Sequence, residues 1–256
     1  MRRIVILSGI ALILLAAFAV APALLVGNGL ASVSGNAPLT HAFAVELTTF
    51  WNADASGVTP ALADLIDLWR RWHALKVVIS VLFTATTIAL SATLWRQFLA
   101  PGVSARRRWV SGASAVATSM LILCGLVAIA ANVQATAAPL SALLPLLPSD
   151  PLPGDLRRAM SQIRDGLTNA DSAFADRPAL AVMIDSQRTY LAALAAAATG
   201  SAIVCAGCAG YAARRLSRGL GIAGAVVTAA VVAAAVLAWM SVGDAVDSLL
   251  GVFTVG

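Results

Sequence analysis

The chain has 256 residues, of which 60% are apolar and 11% charged, with a formal charge of +5. A soluble domain carries about 25% charged residues, so a water-soluble globule is excluded. The absence of a polar low-complexity tract or a glycine period excludes a disordered or fibrous chain. What remains is an all-α integral membrane protein, and the composition names no biochemical activity.

Ile4–Val26 is the first of five charge-free stretches long enough to cross about 30 Å of hydrocarbon at about 1.5 Å per residue. Arg2 and Arg3 ahead of it suit a signal peptide, but its apolar run exceeds the usual 7–15 or so residues and Pro22 follows the first small-residue site. We read residues 1–26 as an uncleaved transmembrane anchor. Residues 27–76 form a first outer segment. Within it Thr59 as N-cap and Pro60 at the first helical position start a helix that runs unbroken into the second span, Val77–Trp95. Leu62, Leu65, Ile66, Trp69 and Trp72 share one face of that helix. Trp109–Val133 completes a transmembrane hairpin over 77–133.

Residues 134–190 form the second outer segment. Pro145, Pro148, Pro151 and Pro153 break the leucine-rich run from Leu140 to Pro153, so it is no sixth span and instead packs on the cap or rests at the interface. Asp155 to Asn169 reads as a short amphipathic helix through Leu156, Met160, Ile163 and Leu167. Leu191–Ala213 and Leu220–Val242 form a second hairpin over 191–242, and 243–256 is an outer tail. Each outer segment is too small for a large core of its own, so the two are expected to pack as one cap.

The eleven residues from Pro60 to Arg70 match those from Pro178 to Arg188 at seven positions, in the shared pattern Pro-Ala-Leu-Ala-x-x-Ile-Asp-x-x-Arg. Both copies lead into a span, and an arginine, Arg96 or Arg214, follows thirty-six residues after each proline. The chain therefore reads as a tandem duplication of a two-span unit with helical caps, related by an axis along the membrane normal. Nine arginines and no carboxylate fall in the N-terminus and the short loops around Arg96, Arg106, Arg107, Arg108, Arg214, Arg215 and Arg218, whereas all twelve carboxylates fall on the other side. By the positive-inside rule the N-terminus is inside and the C-terminus outside. The basic clusters sit where anionic headgroups would be, which makes membrane lipids a partner and nucleic acid an unsuitable one.

No Asp, Glu, Lys, Arg or His lies within the spans, which argues against a proton pump or ion-coupled carrier. Ser80, Thr84, Thr87 and Ser91 form one small polar seam, and Ser111, Ser114, Thr118 and Gly125 a second. Such seams serve close helix packing, with interhelical bonds of about 0.6 kcal/mol each. Cys205-Ala-Gly-Cys208, with Cys124 as a conceivable third ligand, lies in mid-span and reads as buried apolar thiols rather than a metal or redox pair. Gly219-Leu-Gly221-Ile-Ala-Gly224 matches GxGxxG but follows no strand, so it is a loop and helix start. His41 and His73, thirty-two residues apart, read as interfacial or solvated, and neither catalytic, metal nor cofactor residues are predicted.

The best candidate site is the repeated acid and base pair, Asp67 with Arg70 and Arg71, and Asp185 with Arg188. Residues three or four apart share a helix face, so each pair can bridge, clamp the caps or hold a polar headgroup. Arginine outnumbers lysine sixteen to one, which together with the high alanine content points to a bacterial plasma membrane. The expected function is a non-catalytic accessory or scaffold subunit of cell-envelope machinery, docking another membrane or envelope protein through the cap. Trp51, Leu62, Trp69 and the prolines around Leu146 would supply exposed apolar docking surface over a dry bundle. The rivals are a small lipid or solute transporter with a path between the repeats and, more remotely, an outer-leaflet enzyme.

Overall fold

The structure, a computed structural model, describes residues 2–26, 37–53, 56–147 and 154–254. Asp54, Asp150, Pro148, Pro151 and Pro153 lie outside the described residues. The elements are α1 (Arg2–Val26), α2 (Ala37–Ala53), α3 (Pro60–Leu99), α4 (Ala105–Ala137), α5 (Pro139–Leu143), a 3-10 turn Leu144–Leu146, α6 (Gly154–Thr168), α7 (Pro178–Arg215), α8 (Arg218–Ser241), a 3-10 turn Val242–Asp244 and α9 (Ala245–Thr254). Five stretches are long and apolar enough to cross a membrane: α1, α3, α4, α7 and Arg218–Phe253. They carry the five spans read from the sequence. In α1 and Arg218–Phe253 only 6% and 11% of the most apolar window is buried, which is tolerable only where hydrocarbon replaces water.

The helices starting at Pro60 and Pro178 are unbroken for 40 and 38 residues. At about 1.5 Å per residue each is close to 60 Å long, about twice the hydrocarbon thickness. Thr59 caps α3 as its chemistry demands, its hydroxyl accepting from the Leu62 amide at 3.4 Å and its carbonyl from the Ala63 amide at 2.8 Å. Between α3 and α4, Gly102 follows Pro101 in the left-handed region at φ 75°, a turn conformation that only glycine takes without strain.

The chain divides into two compact units. The first comprises Met1–Pro22, Ala74–Asn132 and Ala196–Val236, and the second Ala23–His73, Val133–Ala195 and Leu237–Gly256. The second unit has a single apolar core. Its α2 contributes Leu39, Phe43, Leu47, Phe50 and Trp51, α6 contributes Leu156, Met160 and Ile163, and α9 contributes Leu249 and Phe253. Leu62 of α3, Leu140 and Leu143 of α5, Leu144, and Leu180 and Met183 of α7 close it. Both α2 and α9 pack against α6.

Two features of this core differ from the sequence reading. Residues 243–256, taken as a tail, contain α9, because Ala245, Leu249 and Phe253 recur every four residues and all three are buried. Trp51 and Leu62, expected as exposed docking surface, are fully buried. The reason is the α2 stripe, which turns an apparently isolated Trp51 into one edge of a helical apolar face. Trp69 and Leu146 are half-buried against the same core, and Pro145 is exposed.

Candidate functional site

The acid and base pairs are placed on exposed helix surface. Asp67 bridges Arg71 at 3.2 Å, with both side chains more than half exposed, while Arg70 is exposed and takes no part in the bridge. Asp185 and Arg188 are both exposed and form no ion pair; among the described residues the only other bridge is Asp155 to Arg158. An exposed pair of this kind contributes about 0–1 kcal/mol. Among the described residues no ion pair joins Asp67, Arg70 or Arg71 to Asp185 or Arg188.

The polar seams, by contrast, do meet. Ser80, Thr84, Thr87 and Ser91 on α3 are buried, as are Ser111, Thr118 and Gly125 on α4, with Ser114 half-buried. A side chain at Gly125 would collide with the Thr84 hydroxyl, so this glycine sets how closely α3 and α4 approach. Thr84, Thr87 and Thr118 donate to carbonyls of their own helices at 2.8–3.0 Å. Their hydroxyls are thereby satisfied without crossing between helices. The interhelical bond runs instead through Ser119, which meets Ser91 at 3.0 Å and accepts from Trp95 Nε1 at 3.2 Å. Sequence spacing had pointed past Ser119, since it lies one position off the Ser114–Thr118–Gly125 line.

Beside these seams lies a cavity of about 770 Å³, contained in the first unit. Its walls come from four helices: Ile88 to Trp95 of α3, Val116 to Leu123 of α4, Val204 to Ala212 of α7, and Leu220 to Val227 of α8. The volume is within the usual range of ligand sites, and the walls are almost wholly carbon. Gly207 and Tyr211 also line a second, smaller cavity of about 490 Å³ whose other walls include Arg214 and Arg215. Arg96, in the last turn of α3, donates to the Tyr211 hydroxyl and lies over its ring at 5.6 Å. No single helix carries this arrangement, which is why sequence periodicity missed it.

Cys205 and Cys208 line the larger cavity, whereas Cys124 is exposed rather than buried as expected, because it falls outside the packed α4 face. Among the described residues no three His, Cys, Asp or Glu side chains are grouped to hold a metal. Gly221 and Gly224 of the GxGxxG run lie against the α7 backbone at Ala213 and Ala209, a packing role. His41 is exposed, and His73 stacks on Trp69 at 4.3 Å with Nδ1 2.9 Å from the Trp69 carbonyl.

Polar ties in the second unit were also invisible to sequence spacing. Trp51 Nε1 donates to Gln162 at 2.8 Å, Arg177 donates to the Trp51 carbonyl at 3.0 Å, Ser141 meets Ser186 at 2.9 Å, and Gln187 donates to Ser248 at 3.0 Å. They join residues 45 to 126 positions apart, so only the fold pairs them. No family model matches the chain, and neither a curated protein nor a solved structure matches it.

Proposed function

We propose that this chain is a multi-pass protein of a bacterial plasma membrane, N-terminus inside and C-terminus outside, serving as a non-catalytic accessory or scaffold subunit of cell-envelope machinery. The observation that carries this reading is the second unit, in which three distant stretches of chain share one closed core. Building such a body outside the lipid is accounted for by a docking role. Because Trp51 and Leu62 belong to its interior, the surface offered to a partner is polar, with Asp64, Asp67, Arg70, Arg157, Asp185 and Arg188 all exposed. Tandem duplication is supported by equivalent positions of the repeated motif: Leu62 and Leu180 are both buried, and Asp67 and Asp185 both exposed.

Sidedness is tested by fusions. Periplasm-type reporters should be active after Asp54, Asp171 and Gly256, and cytoplasmic reporters after Val103 and Ser217. A cytoplasmic C-terminus would remove a span or the anchor reading of α1. Docking is tested by crosslinking in intact membranes and mass spectrometry of the purified complex. Crosslinks should join the second unit to one envelope protein, and charge reversal at Asp67 and Asp185 should weaken them; an uncrosslinked monomer overturns the reading.

The cavity favours a second reading, a lipid or small-solute transporter. Along α3 it runs from Ile88 to Trp95, about 10 Å, and along α7 from Val204 to Ala212, about 12 Å, against the ~30 Å a crossing route needs. Replacing Ser80, Thr84, Thr87 and Ser91 by alanine should therefore lower thermal stability without changing any flux. Liposomes in which the protein moved a defined lipid, and the folded seam variant did not, would promote the transporter instead.

A further inference from the structure

We infer that the cavity of the first unit is a binding site for one anionic phospholipid, with an acyl chain in the apolar part and the phosphate held by Arg96, Arg214 and Arg215. The inference stands on the membrane-spanning fold and does not depend on the scaffold reading. Three observations support it.

The first is the chemistry of the walls. The cavity's hydroxyl and indole groups are already engaged, Ser91 and Trp95 with Ser119 and Tyr211 with Arg96, which leaves hydrocarbon and the weakly polar thiols of Cys205 and Cys208 facing the interior. Solutes that need hydrogen bonds find few partners there, whereas a flexible alkyl chain needs none.

The second is the junction at Gly207 and Tyr211. These two residues line both the apolar cavity and the smaller one bearing Arg214 and Arg215. Arg96 is tied to Tyr211 from α3, which brings a third guanidinium to the same end. An apolar slot opening beside three cations has the polarity of an amphiphile with a negative head. Guanidinium groups are suited to phosphate, since their planar donors meet its oxygens in pairs.

The third is the charge balance. The three stretches of chain that form the first unit contain nine arginines and Lys76 but no Asp or Glu. The arginines at the junction therefore have no carboxylate within their own unit to neutralise them. A second copy of the chain would bring the same positive charge to this face, and a zwitterionic lipid would neutralise it only in part. An anionic phospholipid, drawn from the surrounding bilayer, supplies both the chain and the missing charge.

The test uses the full chain, purified in detergent and stripped of lipid, then offered phosphatidylglycerol and phosphatidylcholine with identical acyl chains. Native mass spectrometry should show one phosphatidylglycerol retained with a preference of about thirtyfold or more, the scale expected for two or three arginines at a headgroup. Gly207→Phe should abolish retention of both lipids, because a Cβ there meets nothing within 4 Å and the ring can enter the cavity without displacing backbone. Arg214→Gln with Arg215→Gln should leave one lipid bound but bring the preference down to about fivefold, the share of the remaining Arg96. Circular dichroism and melting check the fold of each variant, and Gly207→Leu replaces Gly207→Phe if the latter fails it. Equal retention of the two lipids by the unaltered chain, or undiminished retention by a folded Gly207 variant, overturns the site. So does a lipid-independent dimer lost in that variant, which would give the cavity to a second copy.

Discussion

Trp51→Ala should lower the unfolding free energy by about 3–5 kcal/mol, the range for deleting a buried large aromatic side chain. Against a total of about 5–15 kcal/mol for a folded domain, that is a large fraction. Trp51 is fully buried, donates through Nε1 to Gln162 at 2.8 Å, and lies beneath the Arg177 guanidinium at 4.9 Å with Phe174 at 6.4 Å. Arg177 simultaneously donates to the Trp51 carbonyl at 3.0 Å. Truncation therefore leaves a cavity, a Gln162 Oε1 without its indole donor and an Arg177 that keeps only the Phe174 ring, at 5.2 Å, of its two aromatic contacts. Trp51→Phe separates these effects, since it keeps much of the volume and deletes the indole bond, at a cost of about 1 kcal/mol for the hydrogen bond. Chemical unfolding in detergent, followed by limited proteolysis, reads both. New cleavage should appear in α2 and α6 first, because Trp51 and Gln162 join them; a Trp51→Ala protein within about 1 kcal/mol of the parent would mean α2 is no part of the core.

The spans were legible because hydrocarbon tolerates few charges, so an apolar run of sufficient length admits one reading. The unbroken α3 and α7 were legible from the start signals at Thr59-Pro60 and Pro178. The short helices α2 and α9 were harder, although Leu39, Phe43, Leu47 and Phe50, and likewise Leu249 and Phe253, keep helical spacing. In a chain this rich in apolar residues, a stripe stands out poorly against its background, and its partner α6 lies about a hundred residues away. Of the candidate site residues, the seam positions were legible because small side chains at spacings three and four must face one neighbour, as Thr84 faces Gly125. The acid and base pairs were not, because exposed side chains are under no obligation to meet, and only Asp67 with Arg71 does. The cavity could not be read at all. It is defined by what four helices leave unfilled, and no residue type marks such a space.

Gly221→Leu combined with Gly224→Leu should separate α7 from α8 and give the largest loss of stability in the first unit. Only Leu216 and Ser217 connect these helices, so the chain must return on itself at once. The Leu216 and Ser217 amides both donate to the Ala212 carbonyl at 3.0 Å, and the Ser217 hydroxyl accepts from the Leu220 amide at 3.2 Å to start α8. So tight a return presses the first turns of α8 on the last turns of α7. A Cβ at Gly221 would lie 2.5 Å from the Ala213 Cβ and 2.8 Å from its Cα, and one at Gly224 would lie 2.8 Å from the Ala209 Cβ and 3.0 Å from its Cα. These obstacles are backbone and methyl groups, so no rotamer change relieves them. Overpacking typically costs about 1–3 kcal/mol per site, and here two sites one helical turn apart act in the same direction. Melting in detergent should show the single alanine variants displaced modestly and the double leucine variant severely. Leu220, Gly224 and Val227 also line the cavity, so moving α8 reshapes it. The double variant should therefore lose phosphatidylglycerol retention while all three arginines remain, whereas Trp51→Ala, whose damage falls in the second unit, should keep it. Retention unchanged by displacement of α8 would show that the arginines alone bind the headgroup and that the apolar walls contribute nothing.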